Sequence, residues 1–117
     1  MKNKEAAAYL RDILQAIQAI RDYTSALDAQ SFAKKRMAVD AVIRQLAIIG
    51  EAVAHLPVEM RGKEAEIPWK KIVGMRNKMV HAYSEVDHKV VWDVVGSDLD
   101  ALEKCVKRLL KEEQQNT

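Results

Sequence analysis

Apolar residues recur at alternating steps of three and four along four separate stretches of this chain. That spacing admits little except amphipathic α-helices packed on one another. In the first stretch Leu10, Ile13, Ile17 and Ile20 form one apolar stripe, which predicts a helix from about Lys4 to Leu27. The segment Asp28-Ala29-Gln30-Ser31 interrupts it and offers Ser31 as a cap for the next helix. That second helix is expected from about Phe32 to Leu56, with Val39, Val42, Leu46, Ile49, Val53 and Leu56 inward. Gly50 falls on its apolar arc, where a missing side chain admits a neighbouring helix. Asp40, Arg44, Ala47 and Glu51 form a second line on the flank of that arc, by default a solvated face.

Pro57 stops the second helix, and Val58 to Ile67 reads as a polar connector. Pro68 opens a third helix, where a first-turn proline is favoured, and that helix reaches about Ala82. Ser84-Glu85-Val86-Asp87 breaks the pattern and leaves Asp87 to cap a fourth helix running to about Glu112. Val91, Val95, Leu99, Leu102, Val106 and Leu109 face inward there, and the tail Glu113 to Thr117 is expected to fray. The fold class is therefore all-α, an antiparallel bundle of four to five helices. With 117 residues, four glycines and two prolines, residues 1–117 read as a single domain. A domain of this size buries a core yet leaves apolar surface for a partner.

Charge and cysteine content narrow the function classes. The net charge of +2 is too small to identify a nucleic-acid binder by itself. Cys105 has no second cysteine to bridge, so nothing points to an oxidising compartment. Met1 to Glu5 lacks an apolar signal core, and no apolar run approaches the roughly 20 residues that span a bilayer. A cytoplasmic location is expected. Metal sites find little support. His55, His81 and His88 lie on three different segments, and Glu85-Val86-Asp87-His88 is a single Glu-x-x-His where a di-iron bundle needs two.

The third helix holds the candidate chemistry. Projected at about 100° per residue, Trp69, Ile72, Val73, Met79 and Val80 share one arc with Arg76 in its middle. A guanidinium on an apolar arc must meet a carboxylate or line a cleft that takes an anion. Asp40 and Glu51 are the candidate carboxylate partners. Asn77 and His81 are four apart and border the same arc, and Tyr83 follows Arg76 by one heptad. A guanidinium fork, an amide, an imidazole and a phenol suit metal-free phosphodiester chemistry. A base takes the proton of a ribose 2′-hydroxyl, a cation stabilises the pentavalent phosphorus, and an acid protonates the leaving 5′-oxygen. On spacing alone the bland alternatives stand beside this one. Arg76 can be a buried ion-pair residue, His81 a helix-terminal residue, and Trp69 and Trp92 core aromatics.

The segment Met75-Arg76-Asn77-Lys78-Met79-Val80-His81-Ala82-Tyr83 resembles the HEPN superfamily signature, an Arg followed by Asn with a His five residues after the Arg. The Tyr two residues past the His is similar to the HepT-like branch. Asp40-Ala41-Val42-Ile43-Arg44, Ile49-Gly50-Glu51-Ala52, Ile67-Pro68-Trp69 and Val86-Asp87 before Val91-Trp92 carry the likeness along most of the chain. The resemblance implies a HEPN-like helical bundle that pairs as a homodimer with two Arg–His sets in a shared cleft. It implies a metal-independent ribonuclease, with no cofactor, acting as the toxin of a type VII-like toxin–antitoxin system. The implied partner is a minimal nucleotidyltransferase antitoxin that transfers AMP to Tyr83. By the same match Arg76 engages the scissile phosphate, His81 is general acid or base, and Asn77 orients one of them. Some HEPN domains instead bind nucleotides or proteins without turnover, and that alternative stays open at this point.

Overall fold

The computed structural model describes residues 4–74 and 87–115, which form seven helical stretches and no strand. Helix α1 is Lys4–Thr24, α2 is Ala29–Lys34, α3 is Arg36–Ala54 and α4 is Val58–Gly62. Helix α5 is described over residues 69–74, and α6 and α7 are His88–Ser97 and Leu99–Gln115. The all-α bundle expected from periodicity is the observed architecture.

The core lies where the apolar stripes meet. Helix α1 packs chiefly on α3 and also on α7, while α2 packs on α6. Leu10, Ile13, Ile17 and Ile20 of α1 are fully buried, as are Val42, Leu46, Ile49 and Val53 of α3. Leu102, Cys105, Val106 and Leu109 close the third side from α7. Gly50 is buried within α3, on the arc that the spacing assigns to close packing. Cys105 is a packing residue, and burial pushes its thiol up to about 11.

The long helices expected from the sequence end early or break at three places. Helix α1 ends at Thr24, short of Leu27; the buried Thr24 hydroxyl donates to the Ile20 carbonyl at 2.8 Å, and the Leu27 amide closes a turn on the Thr24 carbonyl at 2.9 Å. The cap that follows is Asp28 and not Ser31. Asp28 Oδ1 accepts from the Ser31 amide at 2.8 Å, and Ser31 Oγ accepts from the Asp28 amide at 2.9 Å, a reciprocal pair of caps. The second expected helix divides at Lys35, whose backbone is non-helical. Phe32 is buried against Trp92 of α6, with ring centroids 4.9 Å apart, so α2 follows α6 while α3 follows α1.

The last expected helix bends at Asp98 between α6 and α7. Asp98 still donates to Val94 and accepts from Leu102, so the break is shallow. Val94 is buried there, whereas Val95 is only partly so. At the other end α7 continues to Gln115, past the expected end at Glu112. Among the described residues no helix is long and apolar enough to cross a membrane.

Candidate catalytic segment and its scaffold

Arg76, Asn77, His81 and Tyr83 lie outside the described residues; what the structure describes is how the chain enters and leaves their segment. Entry is through the connector after α3. Pro57 starts α4, whose Met60 is buried, and the chain then turns back through Glu64 and Ile67 toward α5. Pro68 stands just before the helix, its carbonyl accepting the first helical bond from the Ile72 amide at 3.1 Å. The Trp69 indole N–H donates to two carbonyls of the connector, Arg61 at 2.9 Å and Glu64 at 3.0 Å. Ile72 is buried in the core, and Lys71 Nζ donates to Asp98 Oδ2 at 3.2 Å, tying α5 to the α6–α7 bend.

The connector is itself clamped to α7. Arg108 donates from Nε and a terminal nitrogen to the two Glu64 oxygens at 3.0 and 2.7 Å, a forked pair. Glu64 is buried, 8% exposed, while the Arg108 head group reaches the surface. The guanidinium holds the Glu64 carboxyl below its ordinary range, against the opposing effect of burial. The exit is capped as the sequence predicts. Asp87 Oδ1 accepts from the Lys89 amide at 2.9 Å and starts α6.

Several sequence-based candidates fall on described residues. Asp40 and Glu51, the candidate partners of Arg76, are both exposed on α3, and Arg36 reaches Asp40 at 3.9 Å. Trp69 and Trp92 pack partly buried against the core, as aromatics of the bundle. Among the described residues no group of three or more His, Cys, Asp or Glu is arranged to hold a metal ion.

The structure also brings together residues that sequence reasoning leaves apart. Tyr9 of α1 and His55 at the end of α3 stack with centroids 4.8 Å apart and planes 8° from parallel. With Asp12, Ile48, Glu51 and Ala52 they line an open hollow of about 260 Å³ on the outer α1–α3 face. The only sequence trace of this is local: Tyr9 and Asp12 are three apart, and Glu51 and His55 four.

Comparison with known proteins gives the bundle its family. Residues 13–109 match the family described as Ribonuclease HepT-like. The chain belongs to that ribonuclease family. It is similar to "Putative RNase TTE0752" of Caldanaerobacter subterraneus, 37% identical over 95% of this chain and 99% of that protein. It is also similar to "Probable ribonuclease HepT" of Thermococcus cleftensis, 38% identical over 88% of this chain and 94% of that one. A third, "Putative RNase MJ0127" of Methanocaldococcus jannaschii, is 33% identical over 97% and 98%. No solved structure matches the chain.

Proposed function

We propose that this member of the HepT-like ribonuclease family cleaves RNA without a metal ion, with Arg76 and His81 as the reacting pair. The observation that carries the reading is the Arg76-Asn77-x-x-x-His81-x-Tyr83 pattern in a chain that matches the family from residue 13 to residue 109. The scaffold supports it. The helix leading into the pattern is held by the Trp69 indole, by Ile72 and by Lys71, and the exit is capped by Asp87. A reactive segment fixed at both ends keeps its groups in register with the phosphodiester.

In this reading Arg76 neutralises the phosphate as negative charge grows on the pentavalent phosphorus. His81 takes or returns the proton. Asn77 orients the phosphate or the imidazole, and two chains form a homodimer that sets two such pairs in one cleft. The protein acts as the toxin of a toxin–antitoxin pair in the cytoplasm. Its antitoxin is a minimal nucleotidyltransferase that moves AMP from ATP onto the Tyr83 oxygen with loss of pyrophosphate. The bulky anion so formed occupies the place of the substrate phosphate.

The test is RNA cleavage in excess chelator by the wild type, Arg76→Ala and His81→Ala, with circular dichroism confirming the helical fold. Cleavage by the wild type alone, and growth arrest on its expression alone, is the expected result. A folded wild type inert on every RNA tested but retaining bound nucleotide overturns it in favour of a non-catalytic nucleotide-binding domain. Intact mass after co-expression with a neighbouring nucleotidyltransferase tests Tyr83 separately, against Tyr83→Phe.

A further inference from the structure

The outward face of α3 carries a row that is complementary to itself. Met37, Asp40, Arg44, Ala47, Ile48, Glu51 and His55 follow at steps of three and four, or one across the midpoint, and lie opposite the buried stripe of Val42, Leu46, Ile49 and Val53. Met37, Asp40, Arg44, Glu51 and His55 are exposed, and Ala47 and Ile48 are half-buried. Met37, at 87%, and Val58 just beyond the end of α3, at 71%, are the most exposed large apolar residues among those described. Among the described residues Arg44 and Glu51 have no ion-pair partner on their own chain. They are seven apart on one helix, too far to reach each other.

From these observations we infer that a second copy of the chain docks along α3 in antiparallel register, about a two-fold axis between Ala47 and Ile48. Counting outward from that midpoint, Arg44 meets the partner's Glu51 and Asp40 comes opposite the partner's His55, while Ala47 and Ile48 flank the axis. Met37 stands exposed at the end of the row. Arg44 and Glu51 thus find opposite charges twice per dimer, as a two-fold interface requires. The small Ala47 at the crossing allows the helices the close approach that such packing needs. The hollow beside Glu51 supplies the seat for the partner's Arg44. Its carboxylates, Asp12 and Glu51, face a guanidinium, and the Tyr9–His55 stack offers it an aromatic wall. The three carboxylates of this face, Asp12, Asp40 and Glu51, disfavour a nucleic-acid backbone as its occupant.

The dimer itself belongs to the functional reading above; what is added is its face and its register. The experiment is sedimentation equilibrium on the wild type, Arg44→Glu, Glu51→Arg, their equimolar mixture and the double variant, with RNA cleavage followed on the same samples. Arg44 and Glu51 are exposed, so each charge-reversal protein is expected to fold. Each single variant places like charges opposite one another twice per dimer, and dissociation constants should rise about a hundredfold. The mixture should form a one-to-one heterodimer, and the double variant should regain wild-type pairing. Ala47→Cys should become a disulfide-linked dimer on mild oxidation, while the wild type, whose Cys105 is buried, should not. A wild-type dimer indifferent to both charge reversals, and to Ala47→Cys oxidation, overturns this register and leaves the shared cleft standing. A monomeric wild type overturns both, and active monomers separate the cleavage chemistry from either.

Discussion

Replacing Trp69 by Phe removes one hydrogen-bond donor at the point where the chain enters its candidate catalytic segment. The indole N–H serves two connector carbonyls, at 2.9 and 3.0 Å, in a partly buried setting. A single such bond is worth about 1 kcal/mol net, and stranding a buried acceptor costs about 1–3 kcal/mol. Water reaches part of this site, so the lower half of that range applies; the smaller ring adds lost packing, and about 2 kcal/mol is the expected total. For a domain of this length that corresponds to a fall in Tm of roughly 5–10 °C. Trp69 stands seven residues before Arg76, so the loss should also reach the chemistry. At a temperature where both proteins are folded, kcat for RNA cleavage should fall several-fold with KM little changed. Trp69→His, which can restore a ring N–H, should recover part of both losses. Differential scanning calorimetry and initial-rate kinetics measure the two effects. A Trp69→Phe protein with wild-type Tm and wild-type kcat refutes the idea that the indole fixes the entry to the segment.

Three further outcomes follow from the core and from the Glu64–Arg108 pair. Glu64 has its carboxyl held below the ordinary value of 4.5 by Arg108, so the unfolded chain binds the extra proton. Stability should therefore be full above about pH 4.5 and be lost as pH falls through the lower folded value. Glu64→Gln should flatten that part of a urea-denaturation profile taken against pH. Leu46→Ala, at a fully buried position between α1 and α3, should cost about 2–5 kcal/mol in the same assay, with a large part due to the cavity. Cys105, buried and pushed up to about 11, should resist a thiol reagent at pH 8 in the native protein and react at once in denaturant.

The parts of the fold legible in the sequence are those governed by local spacing. The stripes of α1, α3 and α7 are read from apolar periods, and the buried residues are the ones those periods select. Asp87 was legible as a cap because a short polar run precedes an apolar one, and its side chain makes the bond that such a cap makes. The break at Lys35 was not, because neither glycine nor proline marks it. It arises from the different packing partners of α2 and α3. The Glu64–Arg108 clamp joins residues 44 apart, and the Tyr9–His55 stack joins the first helix to the end of the third. Neither has any local pattern to betray it. The candidate chemistry has the opposite character, because Arg76, Asn77, His81 and Tyr83 fall within eight consecutive residues and are legible as a motif. The ties around them, Trp69 to the connector and Lys71 to Asp98, are tertiary and required the fold.

Charge pairing divides this surface in a way that bears on both proposals. Arg21 joins the end of α1 to Asp100 and Glu103 of α7, Arg108 joins the connector to α7 through Glu64, and Lys71 joins α5 to Asp98. These pairs connect elements of one chain, and each lies where two helices or a helix and a loop must be held. On the outward face of α3 the charges are of both signs, yet Arg44 and Glu51 form no ion pair within the described residues. A solvated face needs only enough charge for solubility, with no constraint on order. Here Arg44 and Glu51 exchange places when the helix is reversed, cation against anion about one midpoint. A two-fold contact demands that exchange of its central pair, whereas a solvated face does not. Reversing Arg44 alone should therefore separate two copies without loosening either one, a combination that a merely solvated face would not produce.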